Sequence, residues 1–287
     1  MKALDFEYDG QLLSDYGFII CNFDYGSGAT EVSSGATITF SKKSHNGGKR
    51  FSKVGASYDE CISASFDICK NPDINLPEGM EITKEEFADI GRWLNRREFL
   101  KFRIIENNKV DLDSQACFFN ASFNISKITI NETLYGIRLS METDSPFGYG
   151  QERVHKWSLT DSETTVSLYD QSGDIGFLYP KVIIKSGING DITLKNEMTG
   201  CTTVVKNCSV GETITLHGDT LVITTDKTTH KIYDDFNFNY FTIGNIFENT
   251  ENKITILLSK TSSTPTTPTT PTTITIKYNP IIKDVPS

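Results

Sequence analysis

An all-β protein of two β-sandwich-type domains is the fold this sequence predicts, and three observations predict it. Short segments alternate apolar and polar residues with period two, as at 36–40, 63–68 and 100–104. Thr, Gly, Asn and Ser recur between these segments. One stretch alone carries the 3.6-residue period of an amphipathic helix. Alternation places one face of a strand on a core and leaves the other face polar.

In chain order, residues 123–130 and 134–141 read as two further strands joined by a turn near Asn131-Glu132. The helical exception starts at Thr83-Lys84-Glu85-Glu86, a capping box in which the Thr hydroxyl and the Glu86 carboxylate satisfy the first unpaired amides. Phe87, Ile90 and Leu94 follow on one helical face. Arg92, Arg96 and Arg97 suit the negative end of the helix dipole. The spacing predicts a single α-helix over about residues 85–97, leading into the strand near Phe99.

Ser145-Pro146-Phe147-Gly148-Tyr149-Gly150 interrupts the alternation, and the expected domain boundary lies there, giving domains 1–150 and 151–287. The second half restarts the β pattern at 181–185, 191–195, 201–206, 212–216 and 221–224. Asn189-Gly190 and Gly218-Asp219 supply turn chemistry. Evenly spaced strands without intervening helices point to a sandwich or jelly roll. Residues 253–258 and 274–278 read as a late strand pair, with three Thr-Pro-Thr repeats at 264–272 between them. Proline fixes φ and lacks an amide donor, so that tract is expected to be extended and unpaired, either a tolerated loop-tip expansion or a spacer.

Composition excludes several functions. The 287 residues are 37% hydrophobic and 11% aromatic, enough for packed cores. Net charge is −9, with residues 1–150 at −6 and 151–287 at −3. Neither half is basic in total, which argues against sequence-independent nucleic-acid binding and against anchoring to anionic lipid. Acids near the N-terminus stand where a signal peptide needs an apolar run, and no apolar stretch nears the roughly 20 residues of a membrane span. Folding in the cytoplasm of the producing cell is the expectation. Six cysteines, Cys21, Cys61, Cys69, Cys117, Cys201 and Cys208, form no C-x-x-C pair. Buried unpaired thiols are the expected state, with a Cys201–Cys208 staple as the alternative.

The sequence holds no phosphate loop, H-E-x-x-H, G-x-S-x-G or EF-hand loop, so no catalytic, cofactor-binding or metal-binding residues are expected. His45, His155, His217 and His230 lack ligand spacing and read as surface or turn residues. Asp234-Asp235 reads as an exposed acidic turn, with cation binding as the alternative. The carboxylates include no pair that stands out as glycosidase machinery. Tyr233, Phe236, Phe238, Tyr240 and Phe241, with Phe247 nearby, form an aromatic cluster. Tyr233, Phe236, Phe238 and Tyr240 are the candidate glycan or partner contacts; the competing reading makes Phe236, Phe238 and Tyr240 the inward face of a strand. Residues 21–53 are Gly- and Ser-rich around one short strand, with Lys42, Lys43, Lys49 and Arg50, and suit an arm that orders against a neighbour.

Residues 92–102, Arg-Trp-Leu-Asn-Arg-Arg-Glu-Phe-Leu-Lys-Phe, together with the strand ending in 138–149, resemble the N-terminal domain of siphophage distal tail proteins. Residues 192–200, 210–216, 252–256 and 274–280 resemble that family's C-terminal sandwich. The resemblance runs over nearly the whole chain and rests on the order of the segments; the Thr-Pro tract departs from it, where the family has a short turn. It implies a non-enzymatic structural protein of the virion tail tip, assembled in the host bacterial cytoplasm. Its N-terminal domain, a β-sandwich with a helix and an extended hairpin or arm, would form a homo-hexameric hub ring on the last tail-tube ring. Its C-terminal domain would be galectin-like or carbohydrate-module-like. The implied partners are the tail-tube protein, a tail-associated tip protein, receptor-binding proteins and host cell-surface glycans, with no membrane and no cofactor. DNA would pass through the ring without specific binding, past acidic or neutral side chains. The alternative function is a carbohydrate-binding adhesin in host cell-wall recognition.

Overall fold

The computed structural model describes residues 3–23, 38–58, 60–75, 79–106, 117–246, 250–260 and 270–283. The chain is mostly β and divides into two compact units, residues 1–151 with 282–287, and residues 152–281.

In the first unit the strands are β1 (Ala3–Tyr8), β2 (Gln11–Leu12), β3 (Phe18–Cys21), β4 (Ile38–His45), β5 (Arg50–Tyr58), β6 (Ser63–Lys70), β7 (Leu100–Glu106), β8 (Phe119–Ile130) and β9 (Thr133–Thr143). One helix, α1 (Lys84–Leu94), lies between β6 and β7. Among the described residues, seven strands form one antiparallel sheet in the order β2-β1-β7-β8-β9-β6-β3, while β4 and β5 pair with each other. Asn131 and Glu132 both take positive φ, as a two-residue turn between right-twisted strands requires. The alternation of Phe119, Ala121 and Phe123 sends these side chains inward. They meet Phe6, Tyr8, Phe102, Ile137 and Leu139 in one core with Ile90, Trp93 and Leu94 of the helix.

The capping box forms as the sequence predicts. Thr83 Oγ1 accepts from the Glu86 amide at 3.2 Å, and the Thr83 amide donates to Glu86 Oε2 at 2.7 Å. Glu86 also pairs with the mostly buried Lys70 at 2.8 Å, tying the helix start to β6. Burial pushes the Glu86 carboxyl up, but the hydrogen bonds from Lys70 and Thr83 outweigh it and hold the group below its usual range. The helix stops at Leu94, short of the expected Arg97. Trp93 and Leu94 are its last buried residues, and the Arg96 amide already turns back to the Leu94 carbonyl at 2.9 Å. Arg96 serves the helix end from outside, its Nε donating to the Trp93 carbonyl at 3.3 Å.

The first unit closes with β10 (Gly148–Tyr149), bridged to Phe118. The second contains β11 (Arg153–Leu159), β12 (Glu163–Asp170), β13 (Gly176–Leu178), β14 (Lys181–Lys185), β15 (Gly190–Asn196), β16 (Thr202–Cys208), β17 (Thr213–His217), β18 (Val222–Thr225), β19 (Ile243–Asn245), β20 (Thr250–Lys260) and β21 (Thr272–Tyr278), with the terminal β22 at Ile281–Ile282. Sheet orders are β11-β21-β14-β17-β18 and β12-β20-β15-β16, with β13 and β19 as a separate ribbon. Val182, Ile184, Ile214, Leu216, Ile274 and Ile276 of the first sheet share one core with Leu168, Ile192, Leu194, Val205, Ile254 and Ile256 of the second. A short helix absent from the sequence expectation, α2 (Ile232–Asp235), packs near β16 and β18.

Several buried polar groups in this unit are matched by side-chain hydrogen bonds. Asn252, fully buried, acts as a strand partner for Gly244: its Oδ1 accepts from the Gly244 amide at 2.7 Å and its Nδ2 donates to the Gly244 carbonyl at 2.9 Å. Asn196 Nδ2 donates to the same Oδ1 at 2.8 Å. Asn252→Ala should therefore lower unfolding free energy by about 3 kcal/mol, because buried groups left without partners each cost roughly 1–3 kcal/mol; chemical denaturation with an unchanged m-value checks this.

Most of the Thr-Pro tract, up to residue 269, lies outside the described residues. Its last residues are packed rather than unpaired. Thr270 and Pro271 backbone lies where a side chain on Gly187 would go, and Thr272 Oγ1 accepts from the Gly187 amide at 3.0 Å. Deleting residues 264–269 should leave the melting temperature nearly unchanged, since a twofold change in the length of a connection alters its closure by only about 0.6 kcal/mol. Thr272→Val, which keeps the shape and removes that acceptor, should lower it measurably in the same thermal melt.

Candidate functional site

Among the described residues, the hairpin of β4 and β5 forms a two-stranded ribbon of its own, with nearly every residue exposed. Its turn is Asn46-Gly47-Gly48, all at positive φ. Its register sorts the side chains onto two faces. Ile38 opposes Tyr58, Phe40 opposes Ala56, Lys42 opposes Lys53 and Ser44 opposes Phe51 on one face. Thr39, Ser41, Lys43 and His45 with their partners Ser57, Gly55, Ser52 and Arg50 make the other. The first face is apolar and cationic, and Lys53 Nζ lies 4.9 Å over the Phe40 ring. Phe51 is 65% exposed and Val54 68%. Residues 38–58 hold Lys42, Lys43, Lys49, Arg50 and Lys53 and no Asp or Glu, in a half of the chain at −6. An isolated ribbon of two strands is marginal in water, and like charges directly opposite, as at Lys42 and Lys53, weaken it further. At its base Tyr58 packs edge-on against Phe147 at 4.7 Å, with Lys283 over both rings.

The large sheet has a second surface, opposite α1. Cross-strand rows there read Asn124, Ser140, Ser65 and then Ser126, Arg138, Asp67. Ser65 and Ser140 hydroxyls meet at 3.3 Å. The described cations of this face are engaged. Arg138 holds Asp67 in a two-point pair at 2.8 and 3.1 Å, Arg103 pairs with Glu7 at 2.8 Å, and Lys101 Nζ lies 3.6 Å over the Phe118 ring. The face is polar, short-chained and carries no unengaged described cation.

The aromatic candidates do not form a strand. Phe236 turns inward and is buried, bridged through its backbone to Val205. Phe238 sits at φ 55°, so the alternating reading of Phe236, Phe238 and Tyr240 fails: the left-handed residue reverses the side-chain direction that alternation assumes. Tyr233 and Phe238 are exposed, at 58% and 64%, and Tyr240 donates its hydroxyl to the Leu221 carbonyl at 2.6 Å. Phe236 supports the group from below, with rings of Phe238 and Tyr240 at 5.5 and 5.0 Å.

Asp235 is not a spare acid at a turn. Its Oδ1 accepts from Asn207 Nδ2 at 2.7 Å, and its Oδ2 lies 3.3 Å from His230 Nε2. The His230 side chain is buried rather than exposed, and its Nδ1 lies 2.5 Å from Glu212, itself fully buried. Sequence spacing gave no sign of this cluster, because its members come from three separate segments. Among the described residues no group of three or more His, Cys, Asp or Glu is arranged to hold a metal ion, and no helix is long and apolar enough to cross a membrane. Cys117, Cys201 and Cys208 are buried and unpaired; Cys61 is exposed, and Cys21 and Cys69 are half-buried, so the expectation of uniformly buried thiols holds for three of six.

Comparison with known proteins follows this geometry. A family described as phage tail protein N-terminal domain matches residues 1–145, and one described as phage tail C-terminal domain matches residues 147–278. A search of curated proteins returns no match. Among solved structures, the Dit (gp 19.1) protein of phage SPP1, titled a paradigm of the hub adsorption apparatus in phages infecting Gram-positive hosts, superposes with a TM-score of 0.61 at 12% identity, over 97% of this chain and 99% of that one. A chain from the infectious bursal disease virus Gx strain reaches a TM-score of only 0.22 at 9% identity, over 84% of this chain and 55% of that one, and carries no argument. The SPP1 likeness is one of fold, and the family matches together span the chain from its first residue to Tyr278: the chain belongs to a family of phage tail proteins.

Proposed function

We propose that this tail protein is a distal tail protein, six copies of which close into a hub ring that joins the tail tube to the host-adsorption apparatus, and that it works by assembly rather than by catalysis. The observation that carries this reading is the β4–β5 hairpin. A cationic ribbon with one apolar face, carried on an acidic domain, gains an anionic surface when it lies on a second copy. The likeness to SPP1 Dit, described as a paradigm of the hub adsorption apparatus, agrees with that use. Residues 1–150 then form the ring, and residues 151–287 serve as a galectin-like module that meets tip or receptor-binding proteins. The polar face opposite α1 suits a channel lining, because DNA slides past a wall whose cations are already engaged.

Light scattering on the purified full chain should give six times the 32.1 kDa protomer mass, and a cryo-electron image of that particle should show the serine-rich face toward the channel. Reversing Lys42, Lys43 and Lys53 to Glu should yield monomers with an unchanged melting temperature. A monomeric unaltered protein, or a continuous ring of unengaged Lys and Arg in the channel, would overturn the proposal.

A second reading has its own observation, the exposed rings of Tyr233 and Phe238 seated on Phe236 beside Tyr240. Aromatic faces of this kind stack on sugar rings. Here the C-terminal unit acts as a carbohydrate-binding adhesin, and the double variant Tyr233→Ala, Phe238→Ala should lose binding to host cell-wall glycans on an array. Equal signals from both proteins, or none from either, would remove this reading.

A further inference from the structure

Among the described residues, the strand β3 is the outermost of the seven-stranded sheet and is paired with β6. The register is Phe18 with Lys70, Ile19 with Cys69, Ile20 with Ile68 and Cys21 with Asp67. Phe18 and Ile20 turn to the core, so Ile19 and Cys21 share the opposite face with Asp67 and Cys69. Cys21 and Cys69 are therefore diagonal neighbours, and their thiols are hydrogen-bonded to one another. Both are half-buried. Two residues beyond Cys21, the Phe23 ring fills the place that a side chain on Gly136 would take, and Gly136 is the cross-strand partner of Cys69. The end of β3 is thus drawn toward Cys69 both by the thiol contact and by the seated ring.

We propose that Cys21 and Cys69 are a dithiol site that closes to a disulfide on meeting a low-molecular-weight disulfide, fastening the edge strand to β6. Diagonal Cα atoms in a sheet stand about 7–8 Å apart, and a disulfide takes Cα separations up to about 6.8 Å. Closure therefore needs a small inward shift, and Cys21 can make it because it is the last residue of its strand. Donation from the Cys21 thiol holds the Cys69 thiol below its ordinary value, and the same contact pushes Cys21 up, so Cys69 is the attacking sulfur. In the first step the Cys69 thiolate attacks the small disulfide, forming a mixed disulfide and expelling one small thiolate. In the second, the Cys21 sulfur loses its proton to solvent and attacks Cys69 sulfur, expelling the other. The dithiol and one small disulfide become a protein disulfide and two small thiols. A chain carried in a phage tail leaves a reducing cytoplasm for surroundings where such disulfides persist.

The test uses the full-length protein with Cys61→Ser, which removes the exposed competing thiol, and in parallel the unaltered chain. Each is incubated with oxidised glutathione, blocked with N-ethylmaleimide and digested without reductant. Mass spectrometry should find a peptide joining Cys21 to Cys69, two hydrogens lighter than its parts. Cys69→Ser should abolish it and return Cys21 as the alkylated thiol. Recovery of both residues as alkylated thiols, or of Cys69 only as its glutathione adduct, would overturn the proposal.

Discussion

The packing of Trp93 onto the sheet is the contact on which the rest of the N-terminal unit depends. Its indole stacks on Phe6 at 5.6 Å on one side and on Tyr16 at 4.5 Å on the other, and its Nε1 donates to the Tyr8 carbonyl at 3.1 Å. Around it Phe6, Phe66, Phe102 and Phe123 stack and tilt against one another at centroid distances between 5.3 and 6.3 Å. Each such ring removes a large apolar area from water and gains from offset or edge contact. The capping box and the Lys70–Glu86 pair fix the start of the helix, so the indole arrives at a set place. Because one face of the sheet is sealed by this single helix, the other face is left to polar residues.

That division gives the unit its two surfaces of differing chemistry. On the sheet, short hydroxyl and amide side chains stand among cations that are each engaged by a carboxylate or a ring. On the hairpin, the cations stand together without a carboxylate in the same ribbon. A net charge of −9 conceals this contrast, which lies in position rather than in number. The hairpin is joined to the unit at its base by Tyr58 and Phe147, and among the described residues it belongs to no larger sheet.

The C-terminal unit follows a different plan. Two sheets seal one another, and their inward residues alternate so regularly that the strands at 181–185, 191–195 and 274–278 were plain from period alone. Where its backbone leaves the sheets, buried amides take over as partners, as Asn252 does for Gly244 and Asn196 does for Thr242. The Glu212–His230–Asp235 cluster plays the same part for the connection between β18 and α2, holding a segment that has no strand beside it.

Local rules were enough for some of this protein, and distance in the chain hid the rest. The Thr83 cap, the helix face of Ile90 and Leu94, the Asn131-Glu132 turn and the period-two strands each depend on residues a few positions apart, and so the sequence by itself determined them. Phe236, Phe238 and Tyr240 show the limit of such rules. Three alternating aromatics also fit a strand, and only the backbone turn at Phe238 sends that ring outward while Phe236 stays buried and Tyr240 packs against the core. The helix end was settled by which residue could still reach the core, Leu94, and not by the arginines beyond it. The meeting of His230 with Glu212, of Cys21 with Cys69 and of Arg138 with Asp67 was decided by tertiary structure alone, because the path of the connection before α2 and the register of paired strands bring together side chains 18, 48 and 71 positions apart, and no local period encodes either.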